Sequence, residues 1–267
     1  MIAGAENRSI PPAITPPQDV AVSLQHIYLN FGPKIVLSDL SLDFKRGEVT
    51  TVIGLSGAGK STILRVIDGL RKPDAGYVFV NGQDIVGMNE RELNVVREQM
   101  GFAFQAAALF DSLTVAQNVS FPLFEHTTLT RAEIEERVDN TLESLGLSDV
   151  ADRLPAELSG GMQKRVGFAR AIVNDPKIIL FDEPTTGLDP IMTNVITETI
   201  KGIQSRLHAT SIVVMHDMPS VYAISDNIAM LFEGSIIEVA DVKSFRRSHN
   251  PIVQQFLEGS EVGPIPL

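Results

Sequence analysis

The stretch Gly54-Leu55-Ser56-Gly57-Ala58-Gly59-Lys60-Ser61-Thr62 has the glycine, lysine and hydroxyl spacing of a phosphate-binding loop. Its glycines let backbone N–H groups approach an anion closely. The helix that starts near Gly59 aims its positive end at the same point, so Ser56, Gly57, Ala58 and Gly59 are expected to cradle phosphate. Lys60 is placed to reach the β- and γ-phosphates of a nucleotide, and the Ser61 hydroxyl to ligate Mg²⁺. A second chemical feature follows far along the chain, where the apolar run Ile178-Ile179-Leu180-Phe181 ends in Asp182-Glu183. A carboxylate at the end of a buried strand suits a nucleotide-bound Mg²⁺, the role expected of Asp182. Glu183 comes one residue later and points elsewhere, which leaves it free to polarise an attacking water as general base.

Between these two lies Leu158-Ser159-Gly160-Gly161-Met162-Gln163. It reads as another helix N-terminus: Ser159 caps it, and Gly160 and Gly161 expose N–H groups on which an anion can dock. It also reads as an ordinary capped helix with Met162, Val166, Ala169 and Val173 on the buried face, and the two readings are compatible. With these three motifs in this order, the chain resembles the ATP-binding cassette (ABC) ATPases over about residues 20–245. The resemblance implies an α/β P-loop NTPase fold, with an antiparallel β subdomain and a helical signature subdomain at about 106–170. It also implies ATP and Mg²⁺, and hydrolysis to ADP and phosphate. In that family Ser159, Gly160 and Gly161 would bind the γ-phosphate of ATP held by the P-loop of a second copy. Gln105 matches the glutamine that contacts Mg²⁺ or water and responds to a transmembrane partner. Thr186-Gly187-Leu188-Asp189-Pro190 matches the loop whose aspartate, here Asp189, works across the dimer interface. His216 matches the switch histidine that senses the γ-phosphate. Phe31 stands where a tyrosine that stacks on adenine is frequent, with Tyr28 a nearby competitor, and Met162 stands where glutamine is common.

Residues 106–115, Asn118-Val119, Phe121-Pro122-Leu123 and the ending Phe256-Leu257-Glu258-Gly259 are similar to the ATPase subunits of the Mla/Mce phospholipid transporters. That resemblance implies a homodimeric ATPase at the cytoplasmic face of an inner membrane, held there by an MlaE-type permease. An MCE-domain protein and often a small STAS-domain protein complete such systems, which move phospholipid between two membranes. The ATPase motifs suit equally an importer of amino acids or other small solutes, because the permease sets the cargo. A nucleotide-gated binding module without turnover fits less well, given Glu183 and His216.

Several elements must hold these residues in place. Val20–Leu29 and Ser38–Phe44 read as strands around the turn-like Phe31-Gly32-Pro33. Val49–Ile53, Tyr77–Val80, Met100–Phe104, Ile178–Phe181 and Ile212–Met215 are further short β-branched or apolar runs. Helices are expected at about 59–70, 160–174 and 190–207. Thr130 and Glu133 form a capping box ahead of Ile134, Val138, Leu142 and Leu145 at helical spacing. Ile228–Phe232 and Ser235–Val239 flank the hairpin pair Glu233-Gly234. Residues 1–19, with four prolines, read as an extended mobile tail, and residues 246–267 as an extension. There Asn250-Pro251 starts a short helix that Gly259 stops. A helix so short needs a surface for Ile252, Val253, Phe256 and Leu257, on its own domain or on a neighbouring subunit.

Composition narrows the classes. The 267 residues carry 33 Asp and Glu against 22 Lys and Arg and no Cys. A net charge of −11 disfavours broad electrostatic binding to nucleic acid. With a single cassette and no Cys, a soluble ABC protein acting on DNA or ribosomes is disfavoured too. Residues 85–160 hold 13 acidic and 5 basic residues, so most of the excess falls in this stretch, which takes in much of the helical subdomain. No apolar run approaches the ~20 residues needed to span a bilayer, and no secretory signal is read.

Overall fold

The computed structural model describes residues 10–266. The first half of the expected N-terminal tail, residues 1–9, lies outside them. Residues 10–17 carry no helix or strand. They are nonetheless anchored: the Ile14 N–H donates to Gln25 Oε1 at 2.9 Å and Gln25 Nε2 donates to the Ile14 carbonyl at 2.6 Å.

Two sheets form the frame. Strands β1 (Val20–Phe31), β2 (Lys34–Lys45), β4 (Ala75–Val80) and β5 (Gln83–Asp84) make an antiparallel sheet in the order β2-β1-β4-β5. Strands β3 (Val49–Gly54), β6 (Met100–Ala103), β7 (Ile178–Asp182), β8 (Thr210–Val214), β9 (Asn227–Phe232) and β10 (Ser235–Asp241) make the second, ordered β10-β9-β3-β8-β7-β6. All neighbours in it run parallel except β9 and β10, the expected hairpin. Helices α1 (Lys60–Ile67), α2 (Glu90–Arg97), α3 (Val115–His126), α4 (Arg131–Ser144), α5 (Gly160–Ile172), α6 (Pro190–Leu207), α7 (Met218–Ile224), α8 (Val242–Phe245) and α9 (Pro251–Glu258) complete the order.

The parallel strands are buried on both faces, which is why they read as continuous apolar runs. Alternate residues supply two cores. Ile53, Ile179, Phe181, Val213, Met215, Ile228 and Met230 face one, with α3, α4, α5 and α6. Val52, Ile178, Leu180, Ile212, Val214, Ala229 and Leu231 face the other, with α1, α2 and the antiparallel sheet. The strand period of two thus divides the molecule into a helical side and a β side. Strand β8 lies between β3 and β7, and Val214 pairs with Val52 on one side and Asp182 on the other. The carboxyl ends of the three strands therefore finish at one level.

Helix α2 was not expected, although Asn89 and Glu92 form a complete capping box there. In the helical subdomain α3 and α4 start at the boxes Thr114–Gln117 and Thr130–Glu133. Helix α9 begins at Asn250, ends at left-handed Gly259, and packs on its own domain with Val253 fully buried. Gln255 fastens the following segment, accepting from the Ile265 N–H at 2.6 Å and donating to the carbonyls of Ser260 and Ile265.

Candidate active site

The carboxyl ends of parallel strands are where an open α/β sheet binds ligands. Here β3 delivers Gly54–Thr62, β7 delivers Asp182 and Glu183, β8 leads to His216, and β6 leads to Gln105. One cavity of about 570 Å³ is lined by Phe31, Gly54, Ser56, Gly57, Gly59, Lys60, Ser61, Thr62, Gln105, Glu183, Thr186 and His216, among others. Residues spread from 31 to 216 are thereby brought together. Phe31 is 44% exposed, with the Arg71 guanidinium 4.9 Å from its ring centre. Tyr28 is not among the cavity walls.

The loop is shaped by its glycines at two places. A Cβ on Gly54 would lie 2.3 Å from the Leu231 carbonyl, so β3 can leave the sheet there only as glycine. Gly59, at φ 106, is the N-cap of α1 and offers no side chain to occupy the first-turn N–H groups. Those donors stay available to an anion. Lys60 Nζ donates to the carbonyls of Gly54 and Leu55 at 2.9 and 3.0 Å and lies 3.8 Å from Glu183 Oε1. Burial lowers its pKa, and the carboxylates of Glu183 and Asp182 oppose that shift.

Ser61 Oγ donates to Asp182 Oδ1 at 2.6 Å. Asp182 is buried, which raises its pKa, while the Ser61 bond and nearby cations pull it down. A hydroxyl and a buried carboxylate side by side, next to a phosphate cradle, form the oxygen donor pair that Mg²⁺ takes from a protein when phosphate and water complete its shell. No cluster of three or more His, Cys, Asp or Glu that could hold a metal occurs among the described residues.

Glu183 points away from the Ser61–Asp182 pair and is engaged by two other side chains. Its Oε2 accepts from Thr186 Oγ1 and lies 2.8 Å from His216 Nδ1. Its backbone is left-handed, at φ 48, a conformation that costs a non-glycine residue of order 1–3 kcal/mol. The bond from the Glu183 N–H to the Val214 carbonyl, at 2.8 Å, helps to hold it. Thr186 was legible only as part of a loop motif; its contact with Glu183 is a product of the turn.

Ser159, Gly160, Gly161 and Asp189 are absent from the cavity walls. Ser159 is the N-cap of α5, accepting from the Met162 N–H at 3.4 Å, and Gly160 is exposed. Asp189 caps α6, accepting from the N–H groups of Ile191 and Met192. Ser159, Gly160 and Asp189 are exposed, whereas Gly161, expected to be exposed as well, is buried with the Met192 side chain against it.

Near Gln105 a second, shallower hollow of about 340 Å³ opens. Phe104, Phe110 and Phe121 border it and are each 38–44% exposed. Arg170 holds the intervening turn by donating to the carbonyls of Ala107 and Ala108, both at positive φ.

Residues 37–186 match the family model described as ABC transporter. Among similar proteins, the Intermembrane phospholipid transport system ATP-binding protein MlaF of Haemophilus influenzae is 39% identical over 244 residues, 91% of this chain and 92% of that protein. Protein TRIGALACTOSYLDIACYLGLYCEROL 3, chloroplastic, of Arabidopsis thaliana is 40% identical over 92% of this chain and 76% of its own length. The Probable ribonucleotide transport ATP-binding protein mkl of Mycobacterium leprae is 38% identical over 93% and 72%. Of solved structures, a Clostridium perfringens cassette that is part of the ABC transporter complex cbiONQ aligns with TM-score 0.79 at 31% identity, over 90% of this chain and 95% of that one. An ATP-binding cassette in a dimeric post-hydrolysis state with ADP and Pi aligns with TM-score 0.76 at 32% identity, over 84% and 99%.

Proposed function

The chain belongs to the ABC transporter family as an ATP-hydrolysing subunit, and from that premise we propose how its residues divide the work and what its transporter carries. The observation that supports the division is the single cavity joining Lys60, Ser61, Gln105, Glu183 and His216 while the Ser159–Gly161 helix start stays outside it. ATP lies with its base toward Phe31 and its phosphates along Ser56–Thr62. Ser61 and Asp182, with Gln105 nearby, would hold Mg²⁺, which would supply neutralisation of the phosphate charge. Glu183 takes a proton from the attacking water, and His216 follows the γ-phosphate. To act on ATP, both groups exchange their mutual contact for water and phosphate.

The second half of each site comes from another copy. Ser159, Gly160 and Gly161 of that copy dock on the γ-phosphate, and its Asp189 lies at the same interface. ATP then closes the pair, and hydrolysis reopens it. Residues 20–245 form this ATPase unit, with 246–267 an extension fastened to it. Among the described residues no helix is long and apolar enough to cross a membrane. The aromatic hollow beside Gln105 is the surface offered to a membrane permease of MlaE type, which would hold the protein at the cytoplasmic face of an inner membrane. The identity with MlaF across 91% of the chain supports phospholipid as cargo, while an MCE-domain protein, and in some systems a STAS-domain protein, are partners that the resemblance of residues 106–123 and 256–259 implies. The mycobacterial relative, 38% identical and named for ribonucleotide transport, supports the second reading, a small solute.

Co-purification with the products of neighbouring genes from detergent-solubilised membranes tests the cargo. An MCE-domain protein beside the permease is the expected result. A solute-type permease with a periplasmic binding protein would discard the lipid reading and leave the ATPase intact.

A further inference from the structure

Lys164 is a buried cation that none of the motifs above employs. It sits on α5 one turn beyond Gly160 and is 9% exposed. Its Nζ donates to the main-chain carbonyl of Glu183 at 3.4 Å. Burial lowers the pKa of its ammonium, and the Glu183 carboxylate opposes that shift. The Thr186 N–H reaches the same carbonyl at 3.3 Å, closing the turn in which Glu183 is left-handed. One turn further along α5, the Phe168 ring meets Phe181 edge to face with centres 5.4 Å apart. Helix α5 thus grips the end of β7 at two levels, once two residues before Glu183 and once on Glu183 itself.

An apolar side chain at 164 would fill the space without the cost of drying an ammonium. What the lysine adds is a donor at the peptide that sets the direction of Glu183. The other end of the same helix is the Ser159–Gly161 surface, which meets the ATP of a second copy. Glu183 serves the ATP of its own P-loop. We propose that Lys164 is a positioning residue, which holds the Glu183 turn in register with α5 and so links the signature helix to the general base of the same chain. The proposal rests on the general-base reading of Glu183.

The experiment compares the full-length wild type with Lys164→Met, Lys164→Gln and Glu183→Gln. It records steady-state ATP hydrolysis, the affinity for a fluorescent ATP analogue and the thermal midpoint. Lys164→Met is expected to lower kcat about tenfold, because small displacements of a catalytic group are costly, with KM for ATP and analogue affinity within about twofold. Lys164→Gln keeps an N–H donor without the charge and is expected to recover kcat to within about threefold of wild type. A wild-type kcat in Lys164→Met beside an inactive Glu183→Gln overturns this proposal alone. So does a loss confined to KM, or a Lys164→Gln as impaired as Lys164→Met. A Glu183→Gln that still hydrolyses at the wild-type rate removes the general-base reading, and the proposal with it.

Discussion

The starts of α1 and α5 are both helix N-termini suited to an anion, and they are built in opposite ways. At α1 the loop curls into a concave site. Gly59 leaves the first-turn donors uncapped, Lys60 is 7% exposed, and Ser61 already meets Asp182. At α5 the helix start projects outward, Ser159 caps it with its own hydroxyl, and Gly160 is exposed with open space around it. The first is a pocket with its side chains in place. The second, in the proposed function, is one wall of a site that another copy completes. In the proposed arrangement the same local dipole physics serves binding within the chain in one case and recognition between copies in the other.

The sharpest break of this comparison is chemical. Glu183→Gln is expected to lower ATP turnover by about 10²–10⁴ while leaving ATP binding intact and favouring a closed dimer, measured by phosphate release and by light scattering with ATP. Hydrolysis at the wild-type rate would sink the general-base role. Next comes the concave site. Lys60→Ala removes a charge-assisted contact and is expected to weaken ATP binding about 10- to 100-fold, read by titration of the isolated chain. Unchanged affinity would mean that Lys60 stays on its own loop carbonyls when nucleotide binds.

The convex site should respond differently. A Cβ at Gly160 meets no atom within 4 Å, so Gly160→Glu is sterically tolerated yet places a carboxylate where phosphate would dock. Turnover is expected to fall about tenfold or more, with ATP affinity of the isolated chain within about twofold. A matching loss of affinity in the single chain would show that the two helix starts serve one pocket.

The smallest effect concerns the far end of α1. Asp68 is its C-cap, and burial pushes the carboxyl up to about 6 against the pull of Arg97. A folded value above the ordinary 3.8 means that the folded chain holds the proton more tightly. The ionised group therefore weighs against the fold above about pH 6 and has little effect near pH 4. Asp68→Asn is expected to be about 1–2 kcal/mol more stable than wild type at pH 7.5, the gap closing as pH falls, by urea titration at several pH values. An equal gap at pH 4 would assign the effect to packing instead.

Much of this was legible in the sequence because it is local. Gly54–Thr62 sits between a β-branched run and a helical one, so the turn, its donors and its lysine follow from a dozen consecutive residues. The boundaries of α9 follow from Asn250, Pro251 and Gly259 in the same way. Some local signals were passed over: the Asn89–Glu92 and Thr114–Gln117 boxes carry the same chemistry as the Thr130–Glu133 box that was read. Whether α9 docks on its own domain was beyond local reading, because a short amphipathic helix reports only that it needs a partner.

By itself the sequence determined which residues can hold phosphate, which carboxylates end an apolar strand, and where the glycine-led helix starts fall. These depend on backbone freedom and on side chains a few positions apart. The tertiary structure alone decided the rest. It set β8 between β3 and β7 so that His216 meets Glu183, turned Glu183 into a left-handed residue held by Thr186, and placed Lys164 on its carbonyl. Those contacts join residues 19 to 33 positions apart or lie in a turn closed by hydrogen bonds from other elements. Strand order and helix register fix them, and neither is written in any one segment.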